Sequence, residues 1–467
     1  MKRISALIFL LLLQLFSQSG LKAQDLKKTA PVPPMGWNSY DCYDWRINEM
    51  EFKANADYMA DKLLQYGWQY AVIDYLWFHI DKDGALPVKQ RKQASRYLKY
   101  EQNGRPADSI AIDKYGRLLP DEIRFPSAAG GKGFKPLADY VHSKGLKFGI
   151  HIMRGIPRYA VYYNLPVEGT KYRAKDIADT NDVCPWENTM FGIDYRKPGA
   201  QEYYNSLIEM YAGWGIDFIK ADDEMTPYFH QEEIQLLVNA IKKCGRQIVL
   251  SLSPGSVPFS RAGFLARNVN MWRISDDFWD DWQSLKEKFA LLNAWSNYIK
   301  PGSWPDADML PVGHLSLNNT PVGKERTSRF TKAEHYTLMT LYSIARSPLF
   351  IGSDLPTMPD STLLFLTNKE ALEVNKNSAG NRLVYKLWEE KIMWIAEEPA
   401  TGDKYLALFN VGDKEQKITF EFKYENLKGK YIIRDLWNHK EAGTYEKEFG
   451  VNLPPHGAGL YRLKKVK

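Results

Sequence analysis

Two short stretches of the sequence hold carboxylates in a setting that suits chemistry. In "DFIKADDEM", Asp222 follows Lys220 by two residues, so both side chains would point to the same side of an extended strand. A nearby ammonium group favours the ionised carboxylate that a nucleophile must be. In "WRISDDFWDDW", Asp277 has apolar and aromatic neighbours, which could raise its pKa towards that of a general acid. The two stretches therefore predict one nucleophile and one proton donor.

The acids beside this pair are predicted to have other roles. Strand alternation points Asp223 and Asp276 away from the predicted pair, so we interpret them as supporting or helix-capping groups. Glu224 is assigned to the loop that follows. The predicted chemistry thus narrows to Asp222 and Asp277.

The elements that must position these acids alternate along the chain. Apolar runs typical of strands are separated by stretches such as "NEMEFKANADYMADKLLQYG", whose apolar residues repeat at three and four and which close on Gly. This alternation of buried strands and helices predicts a (β/α)8 TIM barrel. The candidate strands are "GWNSY" and residues 70–77, 146–152, 217–223, 247–253, 270–277, 303–309 and 347–354.

Polar residues recur at the ends of these strands. In a barrel the carboxyl ends of the strands meet on one face, where the loops build the active site. An Asp there can simply cap the next helix, but so many polar ends together indicate a site. Retaining cleavage of a glycosidic bond needs two carboxyl groups about 5 Å apart, one attacking and one donating a proton. The residues concerned are Asp74, His151, Asp222, Ser253, Asp277, Asp308 and Asp354.

From about residue 380 the sequence pattern changes. Runs such as "KYLALFNV" and "EQKITFEF" alternate apolar and polar residues between turn residues, as half-buried antiparallel strands do. We therefore predict a barrel over 24–379 and a C-terminal antiparallel β-sandwich over 380–467.

The N-terminus has the features of a signal peptide over residues 1–23. Lys2 and Arg3 precede an apolar run too short to span a bilayer comfortably, and Leu21-Lys22-Ala23 is an acceptable cleavage site. We expect export to the periplasm or the medium and no membrane attachment after cleavage. An uncleaved anchor is the alternative, whereas a lipid anchor is disfavoured because no Cys follows.

The composition of the chain limits the kinds of molecule that it is expected to bind. The net charge is +6 over 467 residues, and Lys and Arg are dispersed among Asp and Glu, so no nucleic-acid surface is predicted. The aromatic share of 13% suits sugar binding as well as cores. Three cysteines exclude a disulfide framework, although one pair could form. The oligomeric state is not predicted.

Beyond these patterns, the chain resembles glycoside hydrolase family 27, which contains α-galactosidases and α-N-acetylgalactosaminidases. The resemblance runs from about Pro33 to the end through "PPMGWNSY", "IDYLW", "GLKFGI", "WGIDFIKADD", "WRISDDFWDDW", "PGSWPDADML", "SPLFIGSD" and "LTNKEALEVN", in the family's order. It implies a retaining exo-glycosidase that acts on terminal α-D-galactoside-type sugars without a cofactor or metal ion.

The resemblance also assigns residues. Asp222 would be the nucleophile, and Asp277, four residues after Arg273, the acid/base. The carbohydrate substrate would contact the side chains at equivalent positions of the family motifs. These are Tyr40, Asp74, His151, Lys220, Ser253 and Arg273.

Three positions depart from the usual α-galactosidase pattern. Asp74 is followed by Tyr75 instead of a second acid, His151 replaces an aromatic residue, and "LSLSPGS" places Ser253 and Ser256 where a Glu is usual. Small residues there resemble the N-acetylgalactosaminidase branch. The missing acid fits neither branch and leaves room for another pyranose such as β-L-arabinopyranose, which lacks the exocyclic CH2OH of galactose. The sequence does not choose among these sugars. A purely structural imidazole is the alternative for His151.

Two other classes remain open from the residues alone. Asp-rich strand ends also bind hard cations, although Lys220 would place a positive charge beside the metal. A sugar-binding protein with a weak or inactive catalytic site is the second.

Overall fold

The computed structural model describes residues 26–107, 110–317, 323–387 and 390–466. The predicted signal peptide lies outside the described residues, so export stays a prediction. Within the described ranges, no helix is both long and apolar enough to cross a membrane. Cys42, Cys184 and Cys244 are all free thiols.

Eight parallel strands form one curled sheet in the order β7-β6-β5-β4-β3-β2-β1-β8. The two outer strands meet through a parallel bridge between Leu310, just beyond β7, and Ile351 of β8. The predicted barrel is therefore confirmed, with a strand that overlaps each predicted run. The strands are β1 (Met35–Asn38), β2 (Tyr70–Ile73), β3 (Lys147–Met153), β4 (Phe218–Asp222), β5 (Val249–Leu252), β6 (Met271–Arg273), β7 (Trp304–Asp306) and β8 (Leu349–Ile351).

Helices follow the strands and pack around the sheet. The α-helices are α1 (Leu26–Thr29), α2 (Tyr40–Tyr43), α3 (Glu49–Tyr58), α4 (Lys135–Ser143), α5 (Arg158–Tyr162), α6 (Ala174–Ile177), α7 (Ala200–Trp214), α8 (Gln231–Lys243), α9 (Ala262–Asn268), α10 (Trp282–Trp295), α11 (Lys332–Ile344), α12 (Asp360–Leu366) and α13 (Lys369–Asn377). Gly215 follows the last residue of α7 with φ 90°, a left-handed conformation that suits glycine and ends the helix.

The inner faces of the strands change from apolar to polar along the barrel. Because alternate residues share a face of a strand, Phe218, Lys220 and Asp222 of β4 follow one another on the same side. On β2 the same alternation runs from Tyr70 through Val72 towards the strand's polar end. The apolar members form one buried cluster: Tyr70, Val72, Phe218, Val249, Met271, Trp304 and Phe350. This cluster fills the barrel and leaves its carboxyl-end mouth to polar groups.

The C-terminal part of the chain is antiparallel. A six-stranded sheet has the order β9-β10-β11-β16-β13-β14, and β12 pairs with β15. The strands are β9 (Ala379–Leu387), β10 (Lys391–Glu397), β11 (Lys404–Asn410), β12 (Gln416–Glu421), β13 (Tyr431–Asp435), β14 (Lys440–Tyr445), β15 (Glu448–Leu453) and β16 (Ala458–Lys465). These strands enclose a separate buried apolar cluster, which includes Leu406, Phe420, Ile433, Phe449 and Leu463.

The two parts of the chain pack against each other through side chains from α10 and α11. Phe289 contacts Phe409 edge to face, with 4.9 Å between ring centroids. The ring of His456 stacks on Trp282 at 3.9 Å. Because residues of both parts share one buried cluster, the sandwich is docked on the barrel.

Candidate active site

A cavity of about 210 Å³ opens at the carboxyl ends of the barrel strands. This is smaller than the roughly 300–1,000 Å³ of pockets for drug-sized ligands. The lining joins strand ends to three loops: Tyr40, Asp41, Asp74, Tyr75, Arg96, Trp186, Lys220, Asp222, Asp277, Phe278, Trp279, Asp308 and Met309. Both predicted catalytic acids therefore face the same space.

Asp222, at the end of β4, is held by two side-chain hydrogen-bond partners. Nε2 of His151 lies 3.2 Å from its Oδ2, and the hydroxyl of Ser253 donates to its Oδ1 at 2.9 Å. Burial alone would raise the pKa of this carboxyl, but the hydrogen bonds from His151 and Ser253 and the charge of Lys220 outweigh burial and lower it. The carboxylate is thus kept ionised, as a nucleophile requires.

Removing the Ser253 hydroxyl tests this balance. We expect Ser253→Ala to raise the pKa of Asp222, because one hydrogen bond to the ionised form is lost. Activity is lost when Asp222 is protonated, so the acid limb of the kcat/KM profile should move to higher pH. At neutral pH we expect a loss on the order of tenfold. An unchanged acid limb in Ser253→Ala, with Ser251→Ala as the control, would contradict the assignment.

Asp74 and Lys220 form a buried ion pair on the side of the cavity formed by β2. The Lys220 ammonium lies 2.9 Å from Asp74 Oδ2, and the Asn38 amide donates to the same oxygen at 2.6 Å. Although burial alone would raise the pKa of Asp74, the charge of Lys220 holds it well below its usual range. Asp74 is therefore a fixed acceptor, which can bind sugar hydroxyls on its cavity side.

Asp277 follows β6 and differs from the nucleophile in its surroundings. Its side chain is 64% exposed, and its Oδ1 lies 3.2 Å from Nη2 of Arg273. The apolar surroundings predicted from its aromatic neighbours are therefore wrong for the carboxyl group itself, because the chain turns it towards the cavity mouth. Arg273 is in turn paired with the buried Asp308 at 2.8 Å. A solvated acid beside an arginine can exchange protons with a leaving group and with water.

The acids that follow Asp222 point elsewhere, as predicted for Asp223. Asp223 is buried and pairs with Arg154 at 2.9 Å, while its backbone N–H donates to Asp222 Oδ1 at 3.0 Å. Glu224 is fully buried, and burial raises its pKa well above the usual value. Asp276 is exposed. None of the three lines the cavity formed by the described residues.

The described residues contain one group with ligand-type atoms close enough to hold a metal ion: Asp182, His230 and Glu233. It lies beside the cavity instead of within it. Arg154 donates to both carboxylates, at 2.8 Å to Asp182 and 2.5 Å to Glu233. The guanidinium therefore already supplies positive charge to these acids.

The sequence-predicted residues fall into two sets. Tyr40, Asp74 and Lys220 line the cavity, as expected for sugar contacts. His151, Ser253 and Arg273 are buried and are absent from that lining. His151 and Ser253 hydrogen-bond to Asp222, and Arg273 contacts Asp277 as well as Asp308. Their position suits alignment of the catalytic acids, and direct contact with a sugar stays a prediction for them.

Several cavity residues were missed by the sequence reasoning. Asp308 was recognised as a strand-end acid in "PGSWPDADML" but received no role. Asp41 is fully buried, and its Oδ2 has no hydrogen-bond partner among the described residues. Arg96 and Trp186 come from long loops after β2 and β3. The segments around these two residues lack a strand or helix period, so no pattern could have placed their side chains.

Comparison with known proteins agrees with this architecture. The family models described as "Alpha galactosidase A" and "Alpha galactosidase C-terminal beta sandwich domain" match residues 187–377 and 389–463. A plant relative, "Alpha-galactosidase 2" of Arabidopsis thaliana, is 28% identical over 442 residues, covering 93% of this chain and 90% of its own.

Solved structures from two bacteria are more similar in sequence. A family 27 β-L-arabinopyranosidase from Geobacillus stearothermophilus is 44% identical, covers 94% of this chain and 98% of its own, and has a TM-score of 0.87. A putative α-N-acetylgalactosaminidase from Bacillus halodurans is 40% identical, with coverages of 93% and 97% and a TM-score of 0.80. With the two acids in one barrel mouth, these matches establish that the chain is a glycosidase belonging to glycoside hydrolase family 27.

Proposed function

We propose that this enzyme removes terminal α-D-galactoside-type sugars with retention, and that among them it favours β-L-arabinopyranosides. This pentose shares the ring stereochemistry of galactose but lacks the exocyclic CH2OH group. The observation that carries the proposal is the buried Tyr75 in the cavity wall, directly after Asp74.

Tyr75 changes what the cavity can bind at this strand end. The residue is 7% exposed, and its ring packs edge to face against His151, with 5.5 Å between centroids. A second carboxylate after Asp74 would offer acceptors for the exocyclic hydroxyl of galactose, whereas a phenol ring fills that volume with apolar surface. A sugar without this hydroxyl avoids burying an unpaired polar group. The name of the Geobacillus relative agrees with this preference.

The proposed reaction is a double displacement. The Asp222 carboxylate attacks the anomeric carbon while Asp277 donates a proton to the departing glycosidic oxygen, which gives a covalent glycosyl-enzyme. Asp277, now ionised, then takes a proton from water as the water attacks the anomeric carbon and releases Asp222. Asp74 and Lys220 hold ring hydroxyls, and the small cavity suits a single terminal ring.

An N-acetylgalactosaminide is the second candidate. The Bacillus relative carries that name, and Ser253 is small. However, Ser253 is only 1% exposed, and its hydroxyl donates to Asp222. This hydroxyl is therefore not free to bind an acetamido group.

Aryl glycosides measured side by side test the preference. We expect the highest kcat/KM on p-nitrophenyl β-L-arabinopyranoside, ahead of the α-D-galactoside and the α-N-acetylgalactosaminide. Tyr75→Asp should move the arabinoside-to-galactoside ratio towards galactose by about 10- to 100-fold, the range of a lost or gained polar contact. Tyr75→Phe keeps the ring and should keep the preference. A wild type that prefers the galactoside, or an unmoved ratio in Tyr75→Asp, contradicts the proposal.

A further inference from the structure

A second cavity, of about 580 Å³, lies where the sandwich meets α11 of the barrel. We call it the junction cleft and define it by three aromatic and three polar residues. These are Tyr336, Trp437, Tyr461, Lys332, Asn438 and Asn452. We propose that the junction cleft binds a neutral stretch of the glycan whose terminal sugar is removed in the barrel.

The aromatic side chains of the cleft are held in fixed orientations. The Trp437 indole N–H donates to the Thr340 hydroxyl at 2.9 Å, across the junction. The Tyr336 ring meets Trp437 edge to face, with 4.8 Å between centroids. Trp437 and Tyr336 are both half-buried, so part of each ring remains open. Such rings give a ligand apolar surface at little cost in side-chain entropy.

The walls of the cleft are also fixed to one another. His456 lies in the turn between Pro454 and Gly457, which forms part of the cleft. Its ring stacks on Trp282, and its Nδ1 is 2.7 Å from Glu334 Oε1. The sandwich side of the cleft is therefore tied to both α10 and α11 of the barrel. A preformed space of this kind is typical of small-molecule sites.

The polar groups and charges select the class of ligand. Asn438 and Asn452 are exposed and offer amide groups that both donate and accept hydrogen bonds. The carboxylate of Asp435 is already engaged by the backbone and side chain of Asn438, at 2.9 and 2.8 Å. Lys332 and Asp435, the charged residues of the lining, are opposite in sign and leave it with little net charge. Aromatic faces, amides and little net charge fit a neutral polyhydroxylated chain better than an ion or an apolar peptide.

Such a site would act through avidity. A polysaccharide that is held in the cleft presents its chain ends to the enzyme at a raised effective concentration, which can strengthen overall binding by roughly 10²- to 10⁴-fold when both sites engage. A small aryl glycoside reaches only the catalytic cavity and gains nothing. The proposal rests on the proposed function for the choice of glycan, and it predicts that the two kinds of substrate respond differently to changes in the cleft.

The test compares polymer and aryl substrates in full-length variants. We expect Trp437→Ala, and separately the exposed pair Asn438→Ala/Asn452→Ala, to raise KM for a soluble arabinogalactan by at least about tenfold. Values of kcat/KM on the aryl β-L-arabinopyranoside should stay within about twofold of wild type, because the cleft residues lie outside the catalytic cavity. Tyr195→Ala, which removes another exposed tyrosine, is the matched control.

Binding is read independently in native gels that contain the same arabinogalactan. In an Asp222→Asn background, which prevents hydrolysis, both sets of cleft variants should be retarded less than the parent and the Tyr195→Ala control. Equal retardation, or a parent that is not retarded, overturns the proposal. If instead the wild type fails on the aryl arabinoside while the gel difference persists, the proposed sugar preference is wrong and the cleft assignment stands.

Discussion

Replacing Asp222 by Ala should reduce turnover of an aryl β-L-arabinopyranoside by at least about 10⁴-fold, the scale of losing a nucleophile. The side chain supplies the bond to the anomeric carbon, and none of the other carboxylates in the cavity is held ionised by the same set of partners. Added azide should restore part of the activity by taking the vacant space, and the glycosyl azide formed should have inverted anomeric configuration. The rate and the product, identified by NMR, check the assignment.

Asp223→Asn is the matched control because it changes the adjacent carboxylate. Asp223 pairs with Arg154, and burial raises its pKa to about 6. We expect this variant to lose stability while it keeps a nucleophile, so activity per folded molecule should fall far less than in Asp222→Ala. If Asp222→Ala retains near-normal rates, or if azide yields a product of retained configuration, the nucleophile lies elsewhere.

The loss of activity in Asp277→Ala should depend on the leaving group of the substrate. An alkyl glycoside needs a proton on its departing oxygen, so we expect its kcat/KM to fall by about 10²- to 10⁴-fold. The dinitrophenolate of a 2,4-dinitrophenyl glycoside leaves without that proton. Formation of the glycosyl-enzyme from this substrate should therefore be almost unaffected. The glycosyl-enzyme should then accumulate, because the same residue activates water in the second step, and a pre-steady-state burst would show it.

Two variants control for the surroundings of Asp277. The exposed Asp276→Ala removes a neighbouring acid and should leave both substrates near wild-type rates. Asp277→Asn preserves the size of the side chain and should behave like the alanine variant. Equal losses on activated and unactivated glycosides would count against a proton-donor role.

The barrel could be predicted because its signals are local. Each strand is a short apolar run, and a polar residue stands at or near its carboxyl end. The inward direction of Lys220 and Asp222 follows from the period of two along β4 alone. The nucleophile could therefore be named from nine residues of sequence, together with the family resemblance that also pointed to Asp277.

The rest of the site depends on contacts between distant parts of the chain. That Ser253 and His151 hold Asp222, instead of lying in the cavity wall, follows from the spacing of β3, β4 and β5 in the closed barrel. The exposure of Asp277 follows from the path of the chain beyond β6, which its aromatic neighbours in sequence do not reveal. Arg96 and Trp186 are brought in by loops without a period. Such positions need tertiary structure.

The change from apolar to polar residues along the inner faces of the strands has an evolutionary consequence. Phe218 contributes to folding, because it belongs to the apolar cluster inside the barrel. Asp222 lies four residues further along the same side of β4 and contributes to catalysis. Selection can therefore act on folding and on catalysis almost independently. Tyr75 lies just past the end of β2 and is not a member of the apolar cluster that fills the barrel. A lineage can therefore exchange the residue at this position, and with it the sugar it consumes, while the foldable scaffold is inherited unaltered.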